Sequence, residues 1–203
     1  MDEIANQPQA YAVGEYLLVL RPHEELWNRI MRLKQEFAEK YECAMANHTK
    51  PQITLVKFTQ YEMMEERLLN RLRHIAMALP AIKIELKDFG SFPSHTIYIN
   101  VTSKVPVLNM VKELRQAQQL MKLNNDNKPY FITAPQLTIA RKLLPWQYEQ
   151  AWLEYSHRHF TGRFITQQLI LLKRTEGSKA YRVAESFALQ NMPVVTKQGN
   201  LFA

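Results

Sequence analysis

The sequence contains one short pattern twice, as Lys50-Pro51-Gln52-Ile53-Thr54-Leu55 and as Ala134-Pro135-Gln136-Leu137-Thr138-Ile139. Each copy reads Pro-Gln-aliphatic-Thr-aliphatic, follows a polar loop and opens a segment typical of a strand. The glutamine and the threonine of each copy are two residues apart, so they share one face of the predicted strand. The aliphatic residue between them points to the opposite face, toward the helices.

Helix and strand patterns alternate around both copies. Helical spacing of apolar residues is found over residues 23–41, 62–79, 106–123 and 145–159, and strand patterns over 16–20, 51–58, 82–86, 96–101, 132–144, 164–173 and 181–189. The predicted order is therefore β-α-β-α-β-β-α-β-α-β-β. Adjacent strands without a helix between them imply antiparallel pairs, so the predicted class is α+β with helices packed on sheets.

The repeated pattern predicts two related lobes, over roughly residues 16–93 and 94–190, because each copy follows one long helix and precedes another. A pseudo-twofold relation between two antiparallel sheets, with the helices outside, would direct Gln52, Thr54, Gln136 and Thr138 into one central groove. We expect a flexible lead-in at residues 1–15, a single bilobal domain at 16–190 and a tail at 191–203. The open alternative is that both copies are ordinary strand starts.

Composition restricts the class of protein. A chain of 203 residues can bury a core without covalent cross-links. Cys43 is the only cysteine, which excludes an internal disulfide framework and a cysteine-rich metal site. The acidic start has no apolar run, and no stretch approaches about 18 apolar residues, so we predict no signal peptide and no membrane span. These features favour a soluble, cytoplasmic protein.

The positive charge is concentrated in the second half of the chain. Residues 1–100 contain 12 basic and 13 acidic side chains, residues 101–203 contain 14 and 6, and the net charge is +7. A one-sided basic excess favours an anionic partner such as RNA or a phosphorylated small molecule. A solvated basic surface without a partner is the open alternative.

The two segments, their placement and the strand order resemble the two-histidine (2H) phosphoesterase superfamily, which includes the bacterial 2′-5′ RNA ligase-like (LigT) proteins and the cyclic nucleotide phosphodiesterases. Members carry two His-x-Thr/Ser motifs at strand starts, which face each other across a bilobal groove. The resemblance extends from about Tyr16 to Leu189. It implies that one motif imidazole takes a proton from the attacking hydroxyl and that the other protonates the leaving oxygen.

Gln52 and Gln136 stand where the resemblance places the two histidines, whereas Thr54 and Thr138 match the Thr/Ser positions. A carboxamide has no pKa near neutrality, so it cannot act as a general acid or base, a role typically worth ~10²–10⁴ in rate. The amide NH₂ groups and the hydroxyls can still donate hydrogen bonds to phosphate oxygens. We therefore predict an impaired enzyme that binds RNA ends, nucleotides or another phosphorylated ligand, with no cofactor and no metal.

Two other functions stay open. An active phosphodiesterase or RNA ligase would need a different proton carrier, and His48 and His95 are the histidines that could reach the mouth of the groove. A protein-interaction scaffold would use the same fold without a polar groove. His157 and His159 fit the end of a helix better than a metal pair, because a cationic histidine is favourable there.

Other side chains are weaker candidates for the groove. Strict alternation directs Lys57 and Arg141 away from the motif face, unless a bulge or twist changes the phase of the strand. Tyr98, Tyr130 and Phe131 could stack on a base, although core packing is the more common role of an aromatic side chain in a strand.

Overall fold

The computed structural model describes residues 12–192, which form nine strands and five α-helices. The strands are β1 (Val13–Leu20), β2 (Ile53–Tyr61), β3 (Ile82–Phe92), β4 (Thr96–Val101), β5 (Tyr130–Phe131), β6 (Gln136–Arg141), β7 (Thr161–Thr166), β8 (Gln168–Thr175) and β9 (Arg182–Ala188). The helices are α1 (Glu24–Lys40), α2 (Met45–His48), α3 (Glu65–Ala78), α4 (Lys104–Leu114) and α5 (Pro145–Tyr155). Short 3₁₀ segments, Glu62–Met64 and Arg115–Met121, precede α3 and follow α4.

The strands form two antiparallel sheets. The first sheet has the order β5-β2-β1-β8-β9, and the second has the order β6-β4-β3-β7. Every pairing within them is antiparallel. Helices α1 and α5 contact the second sheet, whereas α3 and the 3₁₀ segment after α4 contact the first. The predicted α+β class, with helices packed on two antiparallel sheets, is confirmed.

The two sheets do not correspond to two consecutive halves of the chain. Strands β1 and β2 enter the first sheet, β3 and β4 the second, β5 the first, β6 and β7 the second, and β8 and β9 the first. The lobe boundary predicted at residues 93 and 94 lies inside the hairpin of β3 and β4, so it does not separate the sheets. The lobes are therefore assembled from segments distant in sequence.

Some predicted element boundaries differ from the structure. The strand predicted over residues 164–173 is two strands, because β7 ends in the second sheet and β8 begins in the first. The strand predicted over residues 82–86 continues to Phe92, and a turn at residues 93–95 leads into β4. β1 starts at Val13, inside the predicted lead-in. Residues 1–11 of that lead-in and 193–203 of the predicted tail lie outside the described residues.

Helix α1 begins with a cap and has one buried face. The side chain of His23 accepts a hydrogen bond from the Leu26 amide, and acidic residues in the first turn complement the helix dipole. Its buried stripe consists of Leu26, Ile30, Leu33, Lys34, Phe37 and Ala38. A period near 3.6 residues places these side chains on the face that contacts β6 and β7. The helix thereby covers the strand that carries the second motif.

A polar network attaches α3 to the first sheet. The Tyr16 hydroxyl donates to Glu65 at 2.8 Å, and Lys173 forms ion pairs with Glu65 at 2.6 Å and with Glu62 at 3.3 Å. Burial and the hydrogen bond to Glu65 raise the pKa of Tyr16 far above its ordinary value.

Within residues 12–192, no helix has the length and apolar character needed to cross a membrane.

Candidate functional site

The two motifs lie at the beginning of two strands that contact each other from different sheets. Strand β2 of the first sheet packs against β6 of the second. The four polar side chains, Gln52, Thr54, Gln136 and Thr138, are half-buried. The aliphatic residues between them, Ile53 and Leu137, are completely buried. The alternation expected from the sequence is therefore present in both copies.

A β-bulge follows the first motif. Thr54 is paired with Val19 of β1, but Val56 is paired with the preceding residue, Leu18, so Leu55 is the extra residue. Leu55 and Val56 are both buried. An extra residue reverses the alternation beyond it, so Lys57 lies on the same face as Thr54.

The second motif is followed by the same irregularity. Thr138 is paired with Tyr98 of β4, whereas Ala140 is paired with Ile97, so Ile139 is the extra residue. Arg141 consequently shares the face of Thr138. The repeated pattern is therefore longer than the sequence pattern suggested: it reads Gln-x-Thr-x-x-Lys in β2 and Gln-x-Thr-x-x-Arg in β6. Each motif contributes one exposed cation to its polar face.

Arg21 is an additional cation beside the first motif. The last residue pair between β1 and β2 is Leu20 with Ile53, and one further step in this register places Arg21 opposite Gln52, on the same face. Within residues 12–192, two buried side-chain polar atoms have no hydrogen-bond partner, and they are Arg21 Nε and Gln52 Oε1. Arg21 also lies over the Trp27 ring at 5.6 Å, and burial lowers the pKa of its guanidinium.

A cluster of charged groups connects the cations of the two sheets. Glu15 accepts hydrogen bonds from Tyr181 at 2.8 Å and from Arg174 at 2.6 Å. Burial raises the pKa of the Glu15 carboxyl, but these bonds, Arg174 and Lys57 hold it below the ordinary value. Burial and Glu15 raise the pKa of Tyr181 to about 12, and Arg141 opposes this shift. Lys57 and Arg141 therefore act on one cluster from different sheets.

Aromatic side chains lie beside both motifs. Tyr98 is the cross-strand partner of Thr138, and Tyr130 that of Lys57, so both tyrosines share the motif faces. Phe131 is in the core instead. Gly90 is paired with Tyr98, and a Cβ at this position would come within 2.6 Å of the Tyr98 ring. A glycine here gives the Tyr98 ring room to lie over β3.

The comparison with known families agrees with this geometry. A family model described as the 2′-5′ RNA ligase superfamily matches residues 22–178, a range that includes both motifs and both bulges. The chain belongs to the 2′-5′ RNA ligase superfamily. This result confirms the predicted relation to 2H phosphoesterases. No curated protein matches the chain significantly.

Several solved structures share the fold of this chain at low sequence identity. A structure described as a phosphoesterase has a TM-score of 0.59 at 14% identity, covering 86% of this chain and 97% of its own. Escherichia coli LigT, crystallised with 3′-AMP, has a TM-score of 0.58 at 14% identity, with 88% and 98% covered. The TT0787 protein of Thermus thermophilus has a TM-score of 0.58 at 16% identity, with 87% and 98% covered.

The histidines named from the sequence form no hydrogen bond with the four motif side chains within residues 12–192. His48 is exposed at the end of α2, and His95 Nδ1 lies 2.6 Å from Thr96 Oγ1 in the turn before β4. His157 Nδ1 lies 3.0 Å from the Leu153 carbonyl oxygen, and His159 Nδ1 lies 3.3 Å from Asp88. No group of three His, Cys, Asp or Glu side chains within residues 12–192 is arranged to hold a metal ion.

Two cavities lie outside the space between the motifs. One, of about 820 Å³, lies between α3 and α4 and is lined by Ile75 and Leu79 among others. The other, of about 590 Å³, lies beside the start of α1 and has Arg29, Glu85 and Arg163 in its lining. None of the four motif residues lines either cavity. The volume of these cavities therefore does not single out the space between the motifs.

Sequence reasoning missed Arg21 and left the face of Lys57 and Arg141 open, since strict alternation directed them away unless a bulge intervened, and both strands have that bulge. Both bulges have a signal that could have revealed them. The strands contain two consecutive buried aliphatic residues at the same point, Leu55-Val56 and Ile139-Ala140, and such a pair interrupts an alternating pattern. Arg21 has no comparable signal, because its neighbour Gln52 is distant in sequence.

Proposed function

We propose that this member of the 2′-5′ RNA ligase superfamily binds a phosphorylated ligand, such as an RNA end or a nucleotide, between β2 and β6. The observation that carries the proposal is the doubled Gln-x-Thr-x-x-Lys/Arg pattern on two contacting strands, with the same bulge in both. Hydroxyl, amide and cationic donors suit the oxygens of a phosphate. Arg21 would add a third cation.

Several features support an anionic ligand in particular. Arg21 Nε is a buried donor without an acceptor, and Arg21 is in none of the ion pairs of residues 12–192. Arg21 is only half-buried, and its terminal guanidinium nitrogens also form no hydrogen bond within residues 12–192, so an oxygen-rich ligand would accept from them. Crystal structures of E. coli LigT contain 3′-AMP, phosphate or NADP⁺. All three are phosphate-bearing molecules.

We also infer that hydrolysis or ligation is impaired. Gln52 and Gln136 occupy the positions that the resemblance assigns to catalytic histidines, and a carboxamide cannot carry a proton at neutral pH. Tyr98 and Tyr130 lie beside the motifs and offer surfaces on which a base could stack. The expected protein therefore retains binding of a nucleotide or RNA end without efficient turnover.

Equilibrium binding of 3′-AMP and of a short RNA, at several salt concentrations, tests this function. We expect binding that weakens as salt is raised. The double variant Thr54→Val and Thr138→Val should bind at least about tenfold more weakly, because hydrogen bonds to charged groups are worth about 1.5–3 kcal/mol each. A matched control is Thr161→Val with Thr175→Val, at two exposed positions. Absence of binding by the wild type, or equal binding by the Thr54/Thr138 variant, would reject the proposal.

Turnover of a 2′,3′-cyclic phosphate distinguishes a binding protein from an enzyme. We expect little activity in the wild type and a gain when Gln52→His and Gln136→His are combined, since the two imidazoles would supply the acid and the base. Each single variant serves as a control, because the pair acts as a unit. A wild type that turns the substrate over with a bell-shaped pH profile would favour the active enzyme instead.

A further inference from the structure

Lys34 is a charged residue inside the protein. Its side chain is completely buried, on the face of α1 that contacts β6. A buried lysine is rare because removing an ammonium from water is costly, and no carboxylate pairs with this one among residues 12–192. The Lys34 ammonium therefore needs hydrogen-bond acceptors inside the protein to offset its loss of hydration.

The Lys34 ammonium uses all three of its protons in hydrogen bonds. Lys34 Nζ donates to Thr49 Oγ1 at 2.7 Å, to the Thr138 carbonyl oxygen at 3.0 Å and to the Ile139 carbonyl oxygen at 2.6 Å. An ammonium has three donors and no acceptor, so this set satisfies it completely. Three acceptors suit the charged form of the amine, whereas burial disfavours it.

The three acceptors belong to both motifs. Thr49 lies three residues before Gln52, in the segment that leads into β2. Thr138 is a motif residue of β6, and Ile139 is the extra residue of the second bulge. One ammonium thus joins the approach to the first motif with the backbone of the second, although the two are far apart in sequence.

We propose that Lys34 is a positioning residue that fixes the second bulge and the spacing between the two motifs, and thereby controls how tightly the groove binds its anionic ligand. The effect on binding rests on the proposed function above, whereas the structural link does not depend on it. Because Thr138 and Arg141 lie on either side of the bulge, a change in its shape would move both. The buried amine would act through these residues without touching the ligand.

The protonation of this amine adds a dependence on pH. Burial, and to a lesser extent the charge of Arg141, lower the pKa of Lys34 to about 7, while Cys43 acts in the opposite direction. Arg141 is the titratable residue of β6, and Cys43 lies between α1 and α2. The only titratable residue of α2, His48, is exposed, as are Arg32 and Glu36 on α1 beside Lys34.

Loss of the proton would weaken the link. A neutral amine has two protons for three acceptors and turns a lone pair toward one of them. We therefore expect the spacing of the motifs to loosen as the pH rises through about 7. An anion near Arg141 would offset the guanidinium charge and favour protonation of Lys34, so binding and proton uptake would be coupled.

The first experiment needs no ligand. Backbone amide resonances of residues 49–54 and 138–141 are followed by NMR between about pH 5.5 and about pH 9. We expect both segments to share one titration midpoint in the wild type, and to lose it in Lys34→Met, which preserves a linear buried side chain. Arg32→Met, at an exposed position of the same helix, is the control and should retain the shared midpoint.

A second variant, Thr49→Val, tests the same link if Lys34→Met does not fold. Thr49→Val removes one acceptor with little change of shape, and leaves both carbonyl contacts to β6 in place. It should uncouple residues 49–54 from the titration while residues 138–141 still respond. Separate midpoints in the wild type, or an unchanged shared midpoint in both Lys34→Met and Thr49→Val, would overturn the structural link.

The third measurement is binding of a dinucleotide phosphodiester, whose single phosphate charge does not change over this range. We expect the wild-type affinity to fall by about threefold to tenfold between pH 6 and pH 8, and to be independent of pH in Lys34→Met. A pH-independent wild type would overturn control of binding by Lys34. No binding at either pH would reject the proposed function and this control of affinity, whereas the NMR result would still decide the structural link.

Discussion

The two motifs have the same sequence pattern and the same bulge, but their surroundings differ. Beside the first motif, the buried atoms Gln52 Oε1 and Arg21 Nε have no partner within residues 12–192. Beside the second, the carbonyl groups of Thr138 and Ile139 are held by the buried ammonium of Lys34. The first motif therefore has buried polar atoms without partners among the described residues, whereas the backbone of the second motif is held by hydrogen bonds from Lys34.

This difference suggests a division of roles. A buried polar atom left unpaired costs about 1–3 kcal/mol, and proteins tolerate such costs mainly where function requires them. The first motif therefore has the features of a binding surface that a ligand completes. The second motif has the features of a preorganised site, because the hydrogen bonds from Lys34 fix its backbone conformation before a ligand binds. Variants at matched positions of the two motifs can break or sharpen this contrast.

The largest effect is expected from Arg21→Met. The change removes the guanidinium and retains much of its apolar stem, so the loss should fall mainly on an anionic ligand. A hydrogen bond to a charged group is worth about 1.5–3 kcal/mol, which corresponds to roughly 10- to 100-fold weaker binding of 3′-AMP. Isothermal titration calorimetry measures this difference. Arg182→Met, at an exposed position of β9, is the control, and equal affinities of the two variants would contradict the role of Arg21.

The next effect concerns stability and pH. The pKa of Lys34 is about 7 in the folded protein against 10.5 for an ordinary lysine, so between these values the unfolded chain holds more protons on this group. This group therefore makes the unfolding free energy rise with pH from about 7 toward about 10, by at most about 1.4 kcal/mol per pH unit. Below about pH 7 both states are protonated and this contribution is flat.

Denaturant unfolding of the wild type and of Lys34→Met, at pH 7 and at pH 8.5, measures this contribution. The difference in unfolding free energy between the two proteins should change in favour of the wild type by about 1–2 kcal/mol over that interval. Arg32→Met should track the wild type at both values. A parallel response of Lys34→Met and the wild type would show that Lys34 does not titrate in this range.

The smallest effect separates the two glutamines. Gln52→Leu removes a buried oxygen that has no partner, so we expect the unfolding free energy to increase by about 1 kcal/mol. Gln136→Leu, the matched change in the second motif, removes no such atom and should not stabilise the protein. Thermal unfolding followed by circular dichroism measures both. Destabilisation by Gln52→Leu would indicate that its amide is satisfied in solution.

The sequence predicted the parts of the site that depend on local pattern. The Pro-Gln-x-Thr repeat identified both motif strands, and alternation correctly placed Ile53 and Leu137 in the core. The α+β class with two antiparallel sheets followed from the order of helices and strands. Binding by Gln52 or Gln136 stays a prediction, as does the cytoplasmic location.

The remaining features depend on contacts between distant segments. Lys34 lies within the apolar stripe of α1, but its acceptors in β6 are more than a hundred residues away. Arg21 meets Gln52 only through the register of β1 and β2. The change of sheet at Gln167 was not visible either, because no glycine or proline marks a turn between β7 and β8. Local propensity carries no information on such choices.

The path of the chain between the sheets has a consequence for how the site comes into existence. Five alternating segments build the two sheets, so the backbone passes from one to the other four times. Neither sheet can be completed from one half of the chain, and β2 and β6 acquire their neighbours only when β1 and β4 are also in place. The groove therefore forms only when segments from both halves of the chain have folded together.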